Sequence, residues 1–251
     1  MRISIFTGSL FWIALLAQGL HAQALDLAEH GDQRVVLGAL PCAGAGQARQ
    51  RGWRHLAWEI QKRTSLETEL ELLAVDPAGP GLFATPLLLW SCEGPVAELA
   101  PAARQNLRRF LSMGGLLWID DPQAAPDGTF MTSVKAELGK LWSDKSLAVV
   151  PSDHVLFKSF FLVRNQGGRR RVGRLQGLSL GDRLAVIHTP NDILGALSRD
   201  LLGNEELVVE GGSLMREYAL RMGVNLVMYA LCLDYKDDRV HLPFILKRRR
   251  I

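Results

Sequence analysis

Several polar side chains stand directly after apolar runs, where a buried strand would end. Asp120 and Asp121 follow the run 116–119, and His188 follows the run 184–187. Ligands of open parallel α/β sheets bind at the carboxyl ends of strands, so these side chains are the first candidates for chemistry. Two adjacent carboxylates can coordinate a divalent cation or hold a proton through mutual repulsion, and a histidine can act as a base or a ligand.

Each of these candidates also has a structural interpretation. Adjacent strand residues point to opposite faces, so Asp120 and Asp121 share a site only if the chain turns at Pro122. Otherwise one carboxylate caps the following loop and the other is solvated. His188 has no nucleophile beside it in the sequence, which is equally compatible with a hydrogen-bonded structural histidine.

Further candidates lie in loops and on the last helix. After the second run, Asn191 or Asp192 is placed to cap a helix, and Asp192 joins the candidate ligand-binding residues. His154, in a Pro-Ser-Asp-His loop, is another such candidate. Asn225 lies near the apolar side of the last helix, where a buried amide must be hydrogen-bonded, so we predict a structural tie to a neighbouring loop.

The three cysteines are Cys42, Cys92 and Cys232, and their spacing does not resemble a zinc site. Cys42 and Cys92 each follow a predicted strand, so they lie at one sheet edge if those strands are neighbours. A disulfide between them requires Cα atoms within about 7 Å of each other. A reactive thiol at Cys92 is the alternative, and Cys232 is expected to be buried and inert.

These residues must be positioned by short apolar runs that alternate with amphipathic helices. The runs cover 34–40, 70–75, 86–90, 116–119, 147–150 and 184–187, and the last helix covers 215–233. This alternation predicts a single α/β domain, a three-layer, doubly wound and mostly parallel sheet. Residues 155–180 break the pattern, and we expect an inserted hairpin there.

Composition and the chain ends bear on location. A hydrophobic fraction of 48% and a net charge of +3 fit a globular protein without a polyanionic partner across its whole surface. Residues 1–24 have the pattern of a signal peptide cleaved after Ala24 or Ala22, and an uncleaved membrane anchor is the alternative. We therefore expect an exported, periplasmic protein that binds no nucleic acid.

Two basic stretches remain without a role. The first is Arg169–Arg171, with Arg164 and Arg174 nearby, and the second is the tail at 247–251. Each could contact phosphate or anionic lipid, or be simply solvated. The glycine-rich stretch 38–52 matches neither a dinucleotide fingerprint nor a phosphate loop. No cofactor is implied beyond a possible divalent cation at the aspartate pair.

Several stretches together resemble the bacterial family known as domain of unknown function 4159. They are the segments 110–121, 153–157, 183–187, 223–231, 234–236 and 240–243, which include Gly-Gly-Leu-Leu-Trp-Ile-Asp-Asp and Gly-Val-Asn-Leu-Val-Met-Tyr. The resemblance covers residues 32–246. It implies a relative of the class I glutamine amidotransferase-like fold, which is flavodoxin-like.

The resemblance argues against amidotransferase chemistry. At the place where amidotransferases carry the nucleophilic cysteine, this sequence has Asp120, Asp121 and Pro122. It also implies a role in an envelope complex, because relatives are fused to, or encoded beside, membrane proteins. Our leading hypothesis is a non-catalytic exported binding or interaction module with an envelope or membrane protein partner. The alternative is a hydrolase or metal-dependent enzyme that uses Asp120, Asp121 and His188.

Overall fold

The computed structural model describes residues 34–42, 46–125 and 127–231. The predictions for 1–24, Cys232 and 247–251 lie outside these residues. The strands of the described part are β1 (Leu37–Ala39), β2 (Leu73–Ala74), β3 (Leu87–Trp90), β4 (Leu116–Asp120), β5 (Ala148–Val149), β6 (Gln176–Leu180) and β7 (Arg183–Thr189). Its α-helices are α1 (Gln47–Arg63), α2 (Pro101–Ser112), α3 (Thr129–Leu141), α4 (Ile193–Leu197) and α5 (Gly212–Leu231).

These strands form one sheet with the order β2-β1-β3-β4-β7-β6-β5. The first five strands in that order run parallel. When these five strands are renumbered 1 to 5 in chain order, their order in the sheet is 2-1-3-4-5, as in flavodoxin-like sheets. The predicted α/β class is confirmed. The winding direction reverses between β1 and β3, and ligands of such folds bind beyond the carboxyl ends of that strand pair.

Helices cover both faces of the sheet. Trp118 of β4 packs with α1, α4 and α5 on one face, while Ile119 packs with α2 and α3 on the other. Both faces are therefore apolar, which explains why the parallel strands read as continuous apolar runs. Within the described ranges, no helix combines the length and the apolar character needed to cross a membrane.

The predicted strands exist, but two of them are shorter than their apolar runs. Only Leu73–Ala74 of the run 70–75 and Ala148–Val149 of the run 147–150 are in strand conformation. Both form the outer edges of the sheet, where a strand has one neighbour and its residues are exposed here. Short edge strands limit unwanted pairing with other chains.

The hairpin expected within 155–180 was placed too early in the sequence. Val155–Lys158 is a 3-10 turn, and residues 159–175, here called the 159–175 loop, have no regular structure. The antiparallel hairpin is formed by β6 and β7 around Gly181 instead. The apolar residues at the start of the loop pack against α5 rather than joining the sheet, which accounts for the error.

Candidate functional site

Asp120, the last residue of β4, is fully buried, and both carboxylate oxygens accept hydrogen bonds. Oδ1 accepts from the Thr189 hydroxyl at 2.6 Å and from the N–H of Ile193 at 2.9 Å, and Oδ2 accepts from the N–H of Leu194 at 2.8 Å. The two amides belong to the first turn of α4, so the carboxylate fastens this helix to the strand end. Burial, and then the charge of Asp192, raise the pKa of Asp120 to about 7 although these hydrogen bonds oppose the shift.

Asp192 is a second fully buried carboxylate and caps α4. Its Oδ1 accepts from the N–H of Gly195 at 3.0 Å, and its backbone is left-handed, with a φ of 55°. Aspartate tolerates that conformation better than most residues do. Of the two candidates for this cap, Asn191 and Asp192, the structure selects Asp192.

Two arginines from distant parts of the chain bind Asp192. Arg49 places Nη2 2.7 Å from Oδ2 and Nε 3.3 Å from Oδ1, and Arg169 donates from Nε to Oδ2. Both guanidinium groups also donate to the carbonyl oxygen of Pro122, at 3.2 and 2.8 Å. We call Asp120, Asp192, Arg49, Arg169 and Thr189 the strand-end network.

The strand-end network joins five parts of the fold: α1, the ends of β4 and β7, the 159–175 loop and the start of α4. Arg49 lies in the first turn of α1, where the partial positive charge of the helix terminus disfavours a cation. Asp192 and Glu93, whose Oε1 is 2.8 Å from Arg49 Nη1, offset that cost. Within the strand-end network, Asp192 is ion-paired with both arginines, and Asp120 accepts from backbone and hydroxyl donors. These contacts indicate a structural role for the network.

Asp121 caps the loop after β4. Its oxygens accept from the N–H groups of Gln123 at 2.9 Å and Ala125 at 3.2 Å, and its own N–H donates to the carbonyl of Thr189. Burial raises the pKa of Asp121, while these backbone hydrogen bonds lower it. One of the two aspartates therefore caps the loop as the structural interpretation held, but the expectation that the other is solvated is wrong, because Asp120 is the more deeply buried.

His188 does not share a site with Asp120. In the register of β4 and β7, Asp120 pairs with Thr189 and Ile119 pairs with His188. Cross-strand partners share a face and successive residues alternate, so the two side chains point to opposite faces. His188 is buried with its Nδ1 3.2 Å from Gln176 Oε1, and burial, followed by the charge of Lys135, lowers its pKa to about 4.

The remaining sequence candidates hold loops in place. His154 caps the 3-10 turn by accepting from the N–H of Leu156 at 3.1 Å, and its ring lies against Tyr229. Asn225 is fully buried and accepts from the N–H groups of Phe160 and Phe161 while donating to the carbonyls of Leu156 and Phe161. It ties α5 to the 159–175 loop, the role that the sequence indicated.

The structure joins Cys42 and Cys92 in a disulfide, with a Cα–Cα distance of 5.5 Å. These cysteines follow β1 and β3, the two strands between which the winding direction reverses. The disulfide therefore crosses the edge at which flavodoxin-like folds bind ligands. It borders a cavity of about 420 Å³ that Arg49, Asp76 and Ser91 also line.

Sequence reasoning found the carboxylates but missed their partners. Arg49, Arg169 and Thr189 complete the network, and no spacing rule connects them with Asp120 or Asp192. One signal for Arg49 was available in the sequence, because it is an arginine in the first turn of a helix that has no acidic residue there. Among the described residues, no group of three or more His, Cys, Asp or Glu side chains is placed to hold a metal ion.

Comparison with known proteins agrees with the resemblance seen in the sequence. A search of curated proteins finds no match. The family model described as "Domain of unknown function (DUF4159)" matches residues 37–231, well over half of the chain. That match begins at β1 and ends at the last residue of α5, so it includes all seven described strands and the whole strand-end network. The protein belongs to the DUF4159 family.

Proposed function

We propose that this protein is a non-catalytic, exported interaction module that docks on a protein partner of the bacterial envelope. The observation that carries the proposal is a hydrogen-bonded loop, residues 199–210, that presents apolar side chains to solvent. Leu201, Leu202 and Val208 are 90%, 87% and 89% exposed. Three large apolar side chains exposed on one short loop are a feature that interaction sites share.

Polar contacts hold the backbone of the 199–210 loop. Asp200 accepts from the N–H groups of Leu202 and Asn204, at 2.9 and 2.8 Å. Glu206 pairs with Arg51 of α1, and Arg216 of α5 donates to the carbonyl of Leu207. A loop that is fixed before it binds loses less conformational entropy in a complex.

The strand-end network supports the non-catalytic part of the proposal. The oxygens of Asp120 are engaged by backbone and hydroxyl donors, and His188 points to the other face of the sheet. A hydrolase or metal-dependent enzyme built on Asp120, Asp121 and His188 would need these groups to converge. We infer that the family kept the framework of an amidotransferase-like ancestor and lost its chemistry.

The disulfide supports the exported location. Disulfides persist in oxidising compartments such as the bacterial periplasm and are rare in the cytosol. The Cys42–Cys92 pair is therefore compatible with the signal peptide that the sequence predicts at residues 1–24.

Site-specific photocrosslinking in envelope preparations tests the proposal. A photoreactive residue at Leu202 is expected to give a discrete adduct with one protein, whereas the same residue at Met113, which is 67% exposed, gives none. The triple variant Leu201→Ser/Leu202→Ser/Val208→Ser should abolish capture by the partner without altering thermal unfolding. Identical products from positions 202 and 113, or no product when the photoreactive residue is placed in turn at Leu201, Leu202 and Val208, would count against a docking role.

A further inference from the structure

A cavity beside the 159–175 loop is distinct from both the strand-end network and the 199–210 loop. It has a volume of about 750 Å³, within the usual range for small-molecule sites. Its wall is formed by the loop, the 3-10 turn before it and Asn191. Its lining includes the apolar side chains of Phe157, Leu162 and Val163.

Charge in this cavity is strongly one-sided. Its lining contains four exposed cations and one carboxylate, Asp153, which leaves a surplus of three positive charges. The cations are Lys158, Arg164, Arg171 and Arg174. Within the described part of the chain, none of them has a carboxylate oxygen within 4.0 Å. Like charges in one concave site repel each other and favour a bound anion.

Buried contacts fix the backbone that carries these cations. The Asn191 side chain accepts from the N–H groups of Val172 and Gly173, at 3.0 and 3.1 Å, and donates to the carbonyls of Gly167 and Gly173. Gln166 accepts from the N–H of Leu175 at 2.7 Å. A solvated basic loop would have no need of such anchors, whereas a binding site gains affinity from them.

A close approach of the 159–175 loop to α5 also indicates that the backbone of the loop is fixed. Gly167 has a φ of 64°, and a Cβ atom there would lie 2.1 Å from the backbone nitrogen of Ala219. Gly168, with a φ of 123°, is pressed in the same way against Asn191. Long loops without regular structure in compact domains are usually functional or disordered, and this one is held tightly.

We propose that this cavity binds a ligand that carries two phosphate groups. Three arginines offer planar donor pairs that match phosphate oxygens. Two phosphate groups carry about two negative charges as diesters and about three as a diphosphate, so they offset most or all of the surplus. Leu162 and Val172, which are 69% and 36% exposed, line the cavity as well and offer an apolar surface to an apolar part of the ligand. The ligand is either a soluble diphosphate or a lipid headgroup that contains two phosphate groups. This assignment rests on the proposed role of the protein as a binding module. It adds a second binding surface to the 199–210 loop.

Two binding measurements on the full chain test the assignment and separate the two sources. Calorimetric titration with inorganic pyrophosphate tests the soluble ligand. Co-sedimentation with phosphatidylcholine vesicles, with and without cardiolipin, tests the lipid headgroup. Binding of either probe is expected to weaken at least about tenfold in Arg171→Gln/Arg174→Gln, since each lost arginine removes a charge-assisted contact.

A matched control distinguishes a site from general attraction. Arg108→Gln/Arg109→Gln removes the same charge from exposed positions on α2 and should bind both probes like the wild type. Equal weakening in both double variants, or no binding of either probe, would overturn the assignment. If the phosphate assignment failed in this way, photocrosslinking from Leu202 would still be expected to capture a partner. Failure of the phosphate site can therefore be distinguished from failure of the proposed docking function.

Discussion

The strand-end network and the basic cavity treat charge in opposite ways. In the network, Asp120 and Asp192 are fully buried, and the guanidinium groups of Arg49 and Arg169 bind Asp192 directly. In the cavity, cations are exposed and lack carboxylate partners among the described residues. Buried charge persists in proteins when it is paired, whereas exposed charge of one sign remains available to a ligand. The comparison separates a part that maintains the fold from a part suited to binding.

The two regions meet in one short stretch of sequence. Arg169 and Arg171 are two residues apart, yet Arg169 donates to the buried Asp192 while Arg171 lines the cavity. Asn191 and Asp192 show the same division, because Asn191 anchors the cavity wall and Asp192 belongs to the network. The network therefore supports the loop that shapes the cavity.

Removal of the central carboxylate should break the network most severely. In Asp192→Ala, Arg49 and Arg169 lose their buried partner, α4 loses its cap, and alanine must adopt a left-handed conformation. We expect the free energy of unfolding to fall by about 3–5 kcal/mol, the cost of breaking a buried ion pair. Urea denaturation followed by tryptophan fluorescence measures it.

The variant Asp192→Asn is the matched comparison for Asp192→Ala. Asparagine accepts the left-handed backbone and can still cap α4, so these two features are kept while the charge and one acceptor oxygen are lost. It should fall between the wild type and Asp192→Ala. If both variants unfolded like the wild type, Asp192 would not be holding this edge of the sheet together.

The disulfide should be the next largest contribution to stability. Cys42→Ser/Cys92→Ser opens a loop closed over 50 residues, and the unfolded chain gains entropy. We expect a loss of about 2–4 kcal/mol. A reductant should destabilise the wild type by a similar amount and leave the double variant unchanged, as measured by urea denaturation. A wild type that is insensitive to reductant would argue against the bond.

Asp120 should make stability depend on pH. Its pKa in the folded protein, about 7, is above the ordinary value of 3.8, so the folded state binds more protons between these limits. The contribution of Asp120 to the free energy of unfolding is therefore largest in acid and falls as pH rises to about 7. His188, whose pKa is lowered, contributes with the opposite sign between about pH 4 and 6.5, so a variant is needed to isolate Asp120.

Comparison with Asp120→Asn isolates this contribution. The amide cannot accept from every donor that holds the carboxylate, so the variant is less stable. The difference from the wild type should shrink by about 1–3 kcal/mol between pH 5 and pH 8. Asp144→Asn, at an exposed position, should show no such change. A difference that grows with pH would reverse the assigned direction of the shift.

Much of the fold was predictable because it depends on local patterns. The alternation of apolar runs and amphipathic stripes gave the α/β class, and the Gly-Gly pair after α2 marked the start of β4. The bounds of β2 and β5 were not predictable, since an apolar run does not reveal where pairing with a neighbour stops. The 159–175 loop was misread because its apolar residues pack on a helix that lies far away in sequence.

The candidate site was only half predictable for a similar reason. Asp120 and Asp192 stood out as polar residues at element ends, which sequence position reveals. Arg49 is 143 positions from Asp192, and only the three-dimensional fold brings them together. The basic run Arg169–Arg171 looked uniform in sequence, although its members have different partners in the structure.

The smallest expected difference in unfolding free energy is between variants of two nearby arginines, Arg169 and Arg171. Arg169→Gln removes a ligand of buried Asp192 and should cost about 1–3 kcal/mol of unfolding free energy. Arg171→Gln removes an equal charge from an exposed position without a carboxylate partner, and its effect should remain within about 0.5 kcal/mol. Urea denaturation at matched pH and salt measures both. Equal effects would mean that the loop does not divide its arginines between structure and binding. Suppose that Arg171→Gln leaves the unfolding free energy almost unchanged but weakens binding of pyrophosphate or of cardiolipin vesicles. This side chain would then be maintained for a ligand, because the fold does not require it.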